Sequence, residues 1–148
     1  MDKDYEMLDS VFPILLNKVC KNFCKEYDEV LKPYGLSKLH AFYLIILYEN
    51  KDIGLKLNDF NAELGCDKAN TSRAISTLME KKFIYKVDDS EKKYIVKLTN
   101  EGINLCDNFL GQVKDTNYSL LGILSDGEKS ELYRLLNKIA KGEYNDTN

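Results

Sequence analysis

The sequence predicts a mainly α-helical chain, six helices interrupted by one small β-hairpin. Three observations carry that expectation. Apolar residues recur at steps of three and four through most of the chain, the period of a helix with one buried face. Only the stretch from Tyr85 to Leu98 alternates with period two, around the polar turn Asp88-Asp89-Ser90-Glu91. Stop and cap residues at Gly35, Ser37, Gly65, Asp67, Thr99 and Ser125 cut the helical stretches at short, regular intervals.

The first helix runs from an N-cap at Ser10 to Tyr34, with Phe12, Leu15, Val19, Phe23, Tyr27, Val30 and Tyr34 on one face. Pro13 then falls in the first turn, where its missing N–H costs nothing. Val11, Ile14 and Leu16 widen the apolar surface beyond what one neighbouring helix covers, so further burial is required. Gly35 ends this helix and Ser37 caps the second, whose run from Phe42 to Leu47 is apolar on nearly every side and marks a central buried helix. A break at Lys51–Gly54 precedes a third helix from Asn58 to Leu64, packed through Leu57, Phe60 and Leu64 and stopped at Gly65. Asp67 caps a fourth, with Thr71, Ala74, Ile75, Leu78 and Met79 inward and Lys68, Asn70, Ser72, Arg73 and Ser76 outward. After the hairpin, Thr99 caps a fifth helix through Ile103, Cys106, Phe109, Leu110 and Val113 towards Leu121. Ser125 and Glu128 form a capping box for a sixth, with Leu132, Leu135, Leu136 and Ile139 on its inner face.

A length of 148 residues fits one domain, and 44% hydrophobic against 30% charged residues is enough apolar matter for a core. The longest apolar run, Phe42–Tyr48, is far below the roughly 20 residues of a membrane span, and the acidic start with Asp2, Asp4 and Glu6 is unlike a signal peptide. A soluble cytoplasmic protein is expected. Cys20, Cys24, Cys66 and Cys106 form no CxxC pair and His40 is the only histidine, so no metal site and no cofactor is expected. On a helix the Cβ atoms of Cys20 and Cys24 stand about 5–6 Å apart, too far for a disulfide, and the thiols are read as reduced. One histidine, no glycine-rich phosphate loop and no paired carboxylates speak against an enzyme.

Net charge is −3, which by itself disfavours a nucleic-acid partner, but the charge is unevenly placed. From Cys66 to Thr99 there are eight Lys/Arg against five Asp/Glu, while the rest of the chain has 13 against 19. A phosphate-facing surface and a solvated mixed-charge face both fit that excess.

Two helices joined by a glycine turn and followed at once by a basic hairpin make a winged helix-turn-helix, in which the second helix can enter a major groove. The stretch Leu55-Lys56-Leu57-Asn58-Asp59-Phe60-Asn61-Ala62-Glu63-Leu64-Gly65-Cys66-Asp67-Lys68-Ala69-Asn70-Thr71-Ser72-Arg73 resembles the helix-turn-helix of the MarR family of transcription regulators. Lys81-Lys82-Phe83-Ile84, then Val96-Lys97-Leu98-Thr99-Asn100-Glu101-Gly102, resemble that family's wing and its exit. The resemblance implies one MarR-like domain over residues 1–148. Residues 36–99 would read DNA, and 1–34 with 101–148 would form the dimerisation helices. It implies a homodimer on an inverted-repeat site in double-stranded DNA, acting as a ligand- or stress-responsive repressor. Lys68, Asn70, Ser72, Arg73 and Ser76 would line the DNA-facing side, and the chemistry agrees: Asn can pair with adenine, and Arg can reach guanine or a phosphate.

The wing departs from the family pattern. Where members commonly carry Asp-Arg-Arg or Asp-Lys-Arg, this chain has Ser90-Glu91-Lys92, so Lys92 and Lys93 are expected to touch phosphates and not to enter a narrow minor groove. Many members bind small, often aromatic acids in a cleft, so an effector would be small and aromatic or anionic, and Tyr27, Tyr34 and His40 stand where that cleft would be. Taken as residues alone, His40 is a satisfied half-buried histidine and the tyrosines are packing residues. A peroxide-sensing branch uses a cysteine early in the first helix, where this chain has about Pro13; Cys20 or Cys24 would respond to oxidants only if exposed and electropositive. Two other readings stand beside this one: a winged-helix protein-interaction module without DNA binding, and a thiol-based redox regulator.

Overall fold

The structure, a computed structural model, describes residues 3–88 and 94–142, with side chains over 9–87 and 94–142. The described elements are α1 (Lys3–Leu31), a 3₁₀ turn (Lys32–Tyr34), α2 (Lys38–Glu49), α3 (Leu57–Leu64), α4 (Lys68–Glu80), β1 (Ile84–Asp88), β2 (Tyr94–Leu98), α5 (Asn100–Leu121) and α6 (Asp126–Ala140). Six helices and one antiparallel hairpin among the described residues match the predicted fold class. The chain forms two compact units, Met1–Val113 and Lys114–Asn148, with the division inside α5.

In the first unit the core gathers Leu31 from α1, Tyr43, Leu44 and Leu47 from α2, Phe60 from α3, Leu78 from α4, Val96 from β2 and Phe109 from α5. The central placement of α2 follows from its lack of a polar side. The start of α1 corrects the sequence reading. The helix begins at Lys3, so Ser10 is not its N-cap and Pro13 lies in its interior. There a proline removes one backbone hydrogen bond, at a cost of about 3 kcal/mol. Only the later part of the predicted face is packed: Tyr27 is buried and Phe23 and Val30 are half-buried, whereas Phe12, Leu15 and Val19 are exposed.

The hairpin pairs Ile84 with Leu98, Lys86 with Val96 and Asp88 with Tyr94. Val96 and Leu98 face the core as their alternation indicates, but in β1 it is Ile84 that turns inward, while Tyr85 and Val87 are exposed. The sequence gives no sign of a third backbone partner. Leu55 exchanges both hydrogen bonds with Val96, at 3.0 and 2.8 Å, and so ties the approach to α3 onto the wing. Gly54 makes that possible: its φ is +76°, and a Cβ there would meet Ile95 at 2.4 Å and the Val96 carbonyl at 2.8 Å. Gly102 is required for a different reason, since a Cβ would lie 2.0 Å from the Phe83 carbonyl oxygen. That oxygen accepts the Thr99 N–H at 3.0 Å, and the Thr99 hydroxyl accepts the Gly102 N–H at 3.0 Å, which is the predicted cap of α5.

In the second unit, the Ser125–Glu128 capping box forms as expected, with Ser125 Oγ accepting the Glu128 N–H at 3.1 Å and Glu128 Oε1 accepting the Ser125 N–H at 2.9 Å. No residue of α6 is buried. Among the described residues no helix is long and apolar enough to cross a membrane, and no group of three or more His, Cys, Asp or Glu side chains is placed to hold a metal.

Candidate nucleic-acid interface

The α3–α4 turn is set by Gly65, in the left-handed region at φ +64°, whose N–H closes α3 on the Asn61 carbonyl at 3.0 Å. Asp67 then opens α4, its Oδ1 accepting the Asn70 N–H at 2.7 Å. From there the helix divides into two faces. Thr71, Ala74, Ile75 and Leu78 are buried; Lys68, Ser72, Arg73 and Ser76 are exposed and Asn70 is half-buried beside them. All five residues predicted for the outer side are therefore brought to one surface.

The buried threonine is what fixes that surface. Thr71 Oγ1 donates to Asn61 Oδ1 at 2.6 Å and accepts from the Tyr43 hydroxyl at 3.0 Å, so one side chain links α4 to α3 and α2. Tyr43 is held in turn by the Phe60 ring, 5.5 Å between centroids. Sequence reasoning placed Thr71 inward but missed Asn61 and Tyr43; the available signal was that a hydroxyl on an apolar face needs partners. Asn61, Thr71, Ser72 and Lys68, with Leu57 and Asn58, also line a cleft of about 230 Å³ between α3 and α4.

On the outer face Arg73 Nη2 donates to Asn70 Oδ1. That contact occupies the acceptor a bidentate adenine contact would use, so in this arrangement the pair presents a guanidinium, suited to guanine or phosphate. The Asn70 oxygen keeps a second lone pair, so reading of adenine by Asn70 competes with Arg73 for that acceptor.

Of the wing cations, Lys86 lies over the Tyr94 ring at 4.1 Å and Lys97 donates to the Asp52 carbonyl at 2.9 Å. Lys92 and Lys93, the two predicted to contact DNA, lie outside the described residues.

The three residues offered for an effector cleft sit in separate packing arrangements. Tyr27 is buried edge-on against Phe109 at 5.1 Å and Phe42 at 6.4 Å. Tyr34 stands half-exposed, edge-on to Phe83 at 6.0 Å. His40 Nδ1 accepts the Ser37 N–H at 3.1 Å, which requires an unprotonated nitrogen. Burial, and then the charge of Lys81, hold its pKa below the usual histidine value. Of the thiols offered for redox sensing, Cys20 is exposed, while Cys24 is buried and its pKa is pushed up to about 11, chiefly by that burial, which removes the thiolate such chemistry needs.

No protein-family model matches the chain. An HTH-type transcriptional regulator, BilQ of Clostridioides difficile (strain CD3), is 35% identical over 97 residues, 64% of this chain; the match spans 62% of that protein's length. The MepR–DNA complex of S. aureus superimposes with a TM-score of 0.75 at 22% identity, over 88% of this chain and 97% of that one. A putative MarR family transcriptional regulator from Listeria monocytogenes, complexed with 26mer DNA, gives a TM-score of 0.77 at 21% identity over 86% and 85%. A MarR family regulator from Silicibacter pomeroyi gives 0.79 at 19% identity over 94% of each chain. The architecture of this chain is the MarR-type winged-helix fold.

Proposed function

On the premise of that fold, we propose that the chain is a sequence-specific regulator of transcription that binds double-stranded DNA as a homodimer and acts in the cytoplasm without catalysing a reaction. The observation that carries the reading is the two-faced α4, a polar outer side with Lys68, Asn70, Ser72, Arg73 and Ser76 over an inner side pinned by Thr71. Short polar side chains and one guanidinium match base edges and phosphates at close range. The small positive excess between Cys66 and Thr99, within a chain of net charge −3, confines phosphate attraction to this part of the molecule. A relative that is an HTH-type transcriptional regulator, and two structures of the same fold solved on DNA, support the same reading.

Dimerisation belongs to the proposal because apolar surface is left over. Val11, Phe12, Ile14, Leu15, Leu16 and Val19 on α1 and Leu132, Leu135, Leu136 and Ile139 on α6 are all exposed in the single chain. Contiguous faces of this kind are stable in water when a second copy covers them. The helical ends, 1–34 and 101–148, thus serve as dimerisation helices and 36–99 as the reading head, with Lys92 and Lys93 adding phosphate contacts. A two-fold dimer then places its two copies of α4 about 34–36 Å apart on successive major-groove turns.

Selection of bound sequences from random duplex DNA, at two salt concentrations, tests the reading. An enriched inverted repeat with half-sites one turn apart, and affinity falling steeply as salt rises, is the expected outcome. Absence of any enriched sequence, with the dimer intact, leaves the protein-interaction module as the surviving reading.

A further inference from the structure

We propose that Cys20 and Cys24 form a chelating dithiol for trivalent arsenic, taken up as arsenous acid or a monosubstituted arsenous compound, independently of the DNA-reading face. The two residues are one turn apart on α1 and their Sγ atoms stand 3.7 Å apart. Cys20 is exposed and Cys24 is buried. Cys24 forms part of the wall of an open cleft of about 310 Å³, whose other lining includes Lys21, Lys25 and Lys38.

The separation of the sulfurs decides what can bridge them. A disulfide needs about 2.05 Å between the sulfurs and Cβ atoms about 3.5–4.5 Å apart, and a helical i,i+4 pair with Cβ atoms about 5–6 Å apart cannot close that far. A single bridging atom fits. With bonds to sulfur of about 2.3 Å, the 3.7 Å bite corresponds to an angle of about 107° at the bridge. A linear two-coordinate ion would require the sulfurs about 4.6 Å apart on the same bond length. A tetrahedral zinc site requires four ligands, and among the described residues no third His, Cys, Asp or Glu joins this pair. Trivalent arsenic forms three bonds in a pyramid, so two sulfurs and one retained hydroxyl or organic group complete it.

Proton balance favours the same choice. Divalent cations bind thiolates, so each thiol must first lose its proton, and the burial that pushes the Cys24 pKa up to about 11 opposes this. Arsenous acid condenses with the neutral thiol. Each S–H proton leaves with an As–OH hydroxyl as water, one S–As bond forms as one As–O bond breaks, and arsenic remains trivalent throughout. Two such steps on Cys20 and Cys24 release two waters and need no oxidant. The lysines around the cleft bring no competing carboxylate to the sulfurs, and Asp28, the acidic residue lining it, is engaged by the Lys38 N–H at 2.6 Å.

The test uses the full reduced chain and one equivalent of phenylarsine oxide, with arsenite in a parallel arm. Retained arsenic is read by intact-protein mass spectrometry and free thiols by titration, after washing with excess monothiol. One arsenic per chain and loss of two of the four thiols is the expected result. Cys20→Ser and Cys24→Ala should each lower retention at least 100-fold, with the helical circular dichroism unchanged, while Cys66→Ser and Cys106→Ser retain it. Cys20 is exposed, so its variant tests the site even if a change at Cys24 disturbs the fold. Retention by the Cys20→Ser variant, loss of a single thiol, or no uptake by the unmodified chain overturns the proposal.

Discussion

Helices α4 and α6 are similar in length and both amphipathic, yet the first buries Thr71, Ala74, Ile75 and Leu78 and the second buries nothing. Their exposed residues differ as much as their buried ones. What α4 shows to solvent includes Lys68, Ser72, Arg73 and Ser76; what α6 shows includes Leu132, Tyr133, Leu135, Leu136 and Ile139. Helix α4 has found its apolar partners within its own chain and keeps a polar face free for a polar partner. The apolar face of α6 stays exposed, the face that the proposed dimer covers. The contrast separates two kinds of exposed face, one polar and one apolar, which the proposed function assigns to nucleic acid and to a second copy.

The largest expected effect comes from changing the apolar face of α6. Replacing Leu132 and Leu136 together with Glu removes about 1.5–3 kcal/mol of burial per leucine from each copy, and adds charges to a desolvated seam. Light scattering should show monomers or aggregates at micromolar concentration, and DNA binding should fall at least 100-fold with it. A monodisperse dimer in this variant would break the comparison, because α6 would then be an ordinary solvated helix.

Next in size is the change behind the reading face. Thr71→Val keeps the shape but strands the Asn61 and Tyr43 polar groups, at a cost of about 1–3 kcal/mol in thermal or denaturant unfolding. Ser76→Ala, on the opposite side of the same helix, should stay within about 0.5 kcal/mol. Equal losses in the two variants would show that the division of α4 into faces has no energetic content.

Arg73→Ala should leave stability unchanged and weaken discrimination between sequences by about 1–3 kcal/mol. Because it also frees Asn70 Oδ1, the preference at the neighbouring base should move towards adenine, and selection from random DNA reads this directly. Asn70→Ala should weaken binding without that shift. Smaller again is the effect of Lys92→Ala with Lys93→Ala: uniform weakening on all sequences and a salt dependence shallower by nearly one unit per lost phosphate contact. A defect confined to sites with A·T-rich flanks would instead place a lysine in the minor groove.

The smallest is a pH dependence. His40 has a folded-state pKa below its unfolded value of about 6.5, so the folded chain holds fewer protons. Its contribution is complete above about pH 6.5 and is lost as pH falls through the lower folded value, because burial and then the Lys81 charge disfavour the protonated ring. Denaturant titrations at pH 7.5 and 5.5 should show a loss in the native chain that His40→Gln reduces. An unchanged loss in the variant assigns it to other groups.

Most of this organisation is legible from the residues because it rests on local rules. The caps at Asp67 and Ser125, the stop at Gly65 and the outer face of α4 follow from neighbours three or four residues away. What was not legible depends on distant partners. The pairing of Asn61 and Tyr43 with Thr71, the Leu55 bridge to Val96 and the 3.7 Å approach of the Cys20 and Cys24 sulfurs are set by tertiary packing or rotamer choice, which no periodicity encodes. The early start of α1 was missed because a cap-like serine followed by proline is a good local beginning, and a longer helix overrode it.

The close approach of Gly102 to the Phe83 carbonyl has a mechanical consequence. With no clearance at that point, and with Thr99 bonded to both sides of it, the root of the hairpin and the first turn of α5 behave as a welded corner. The five-residue strands reach about 16 Å from the weld, at about 3.3 Å per residue. A tilt of the corner by about 5° would therefore sweep the far ends of the strands through about 1.4 Å, half the length of a hydrogen bond. On the proposed DNA-binding role, a helix turned slightly at its base would in this way shift the far ends of the strands relative to a bound backbone.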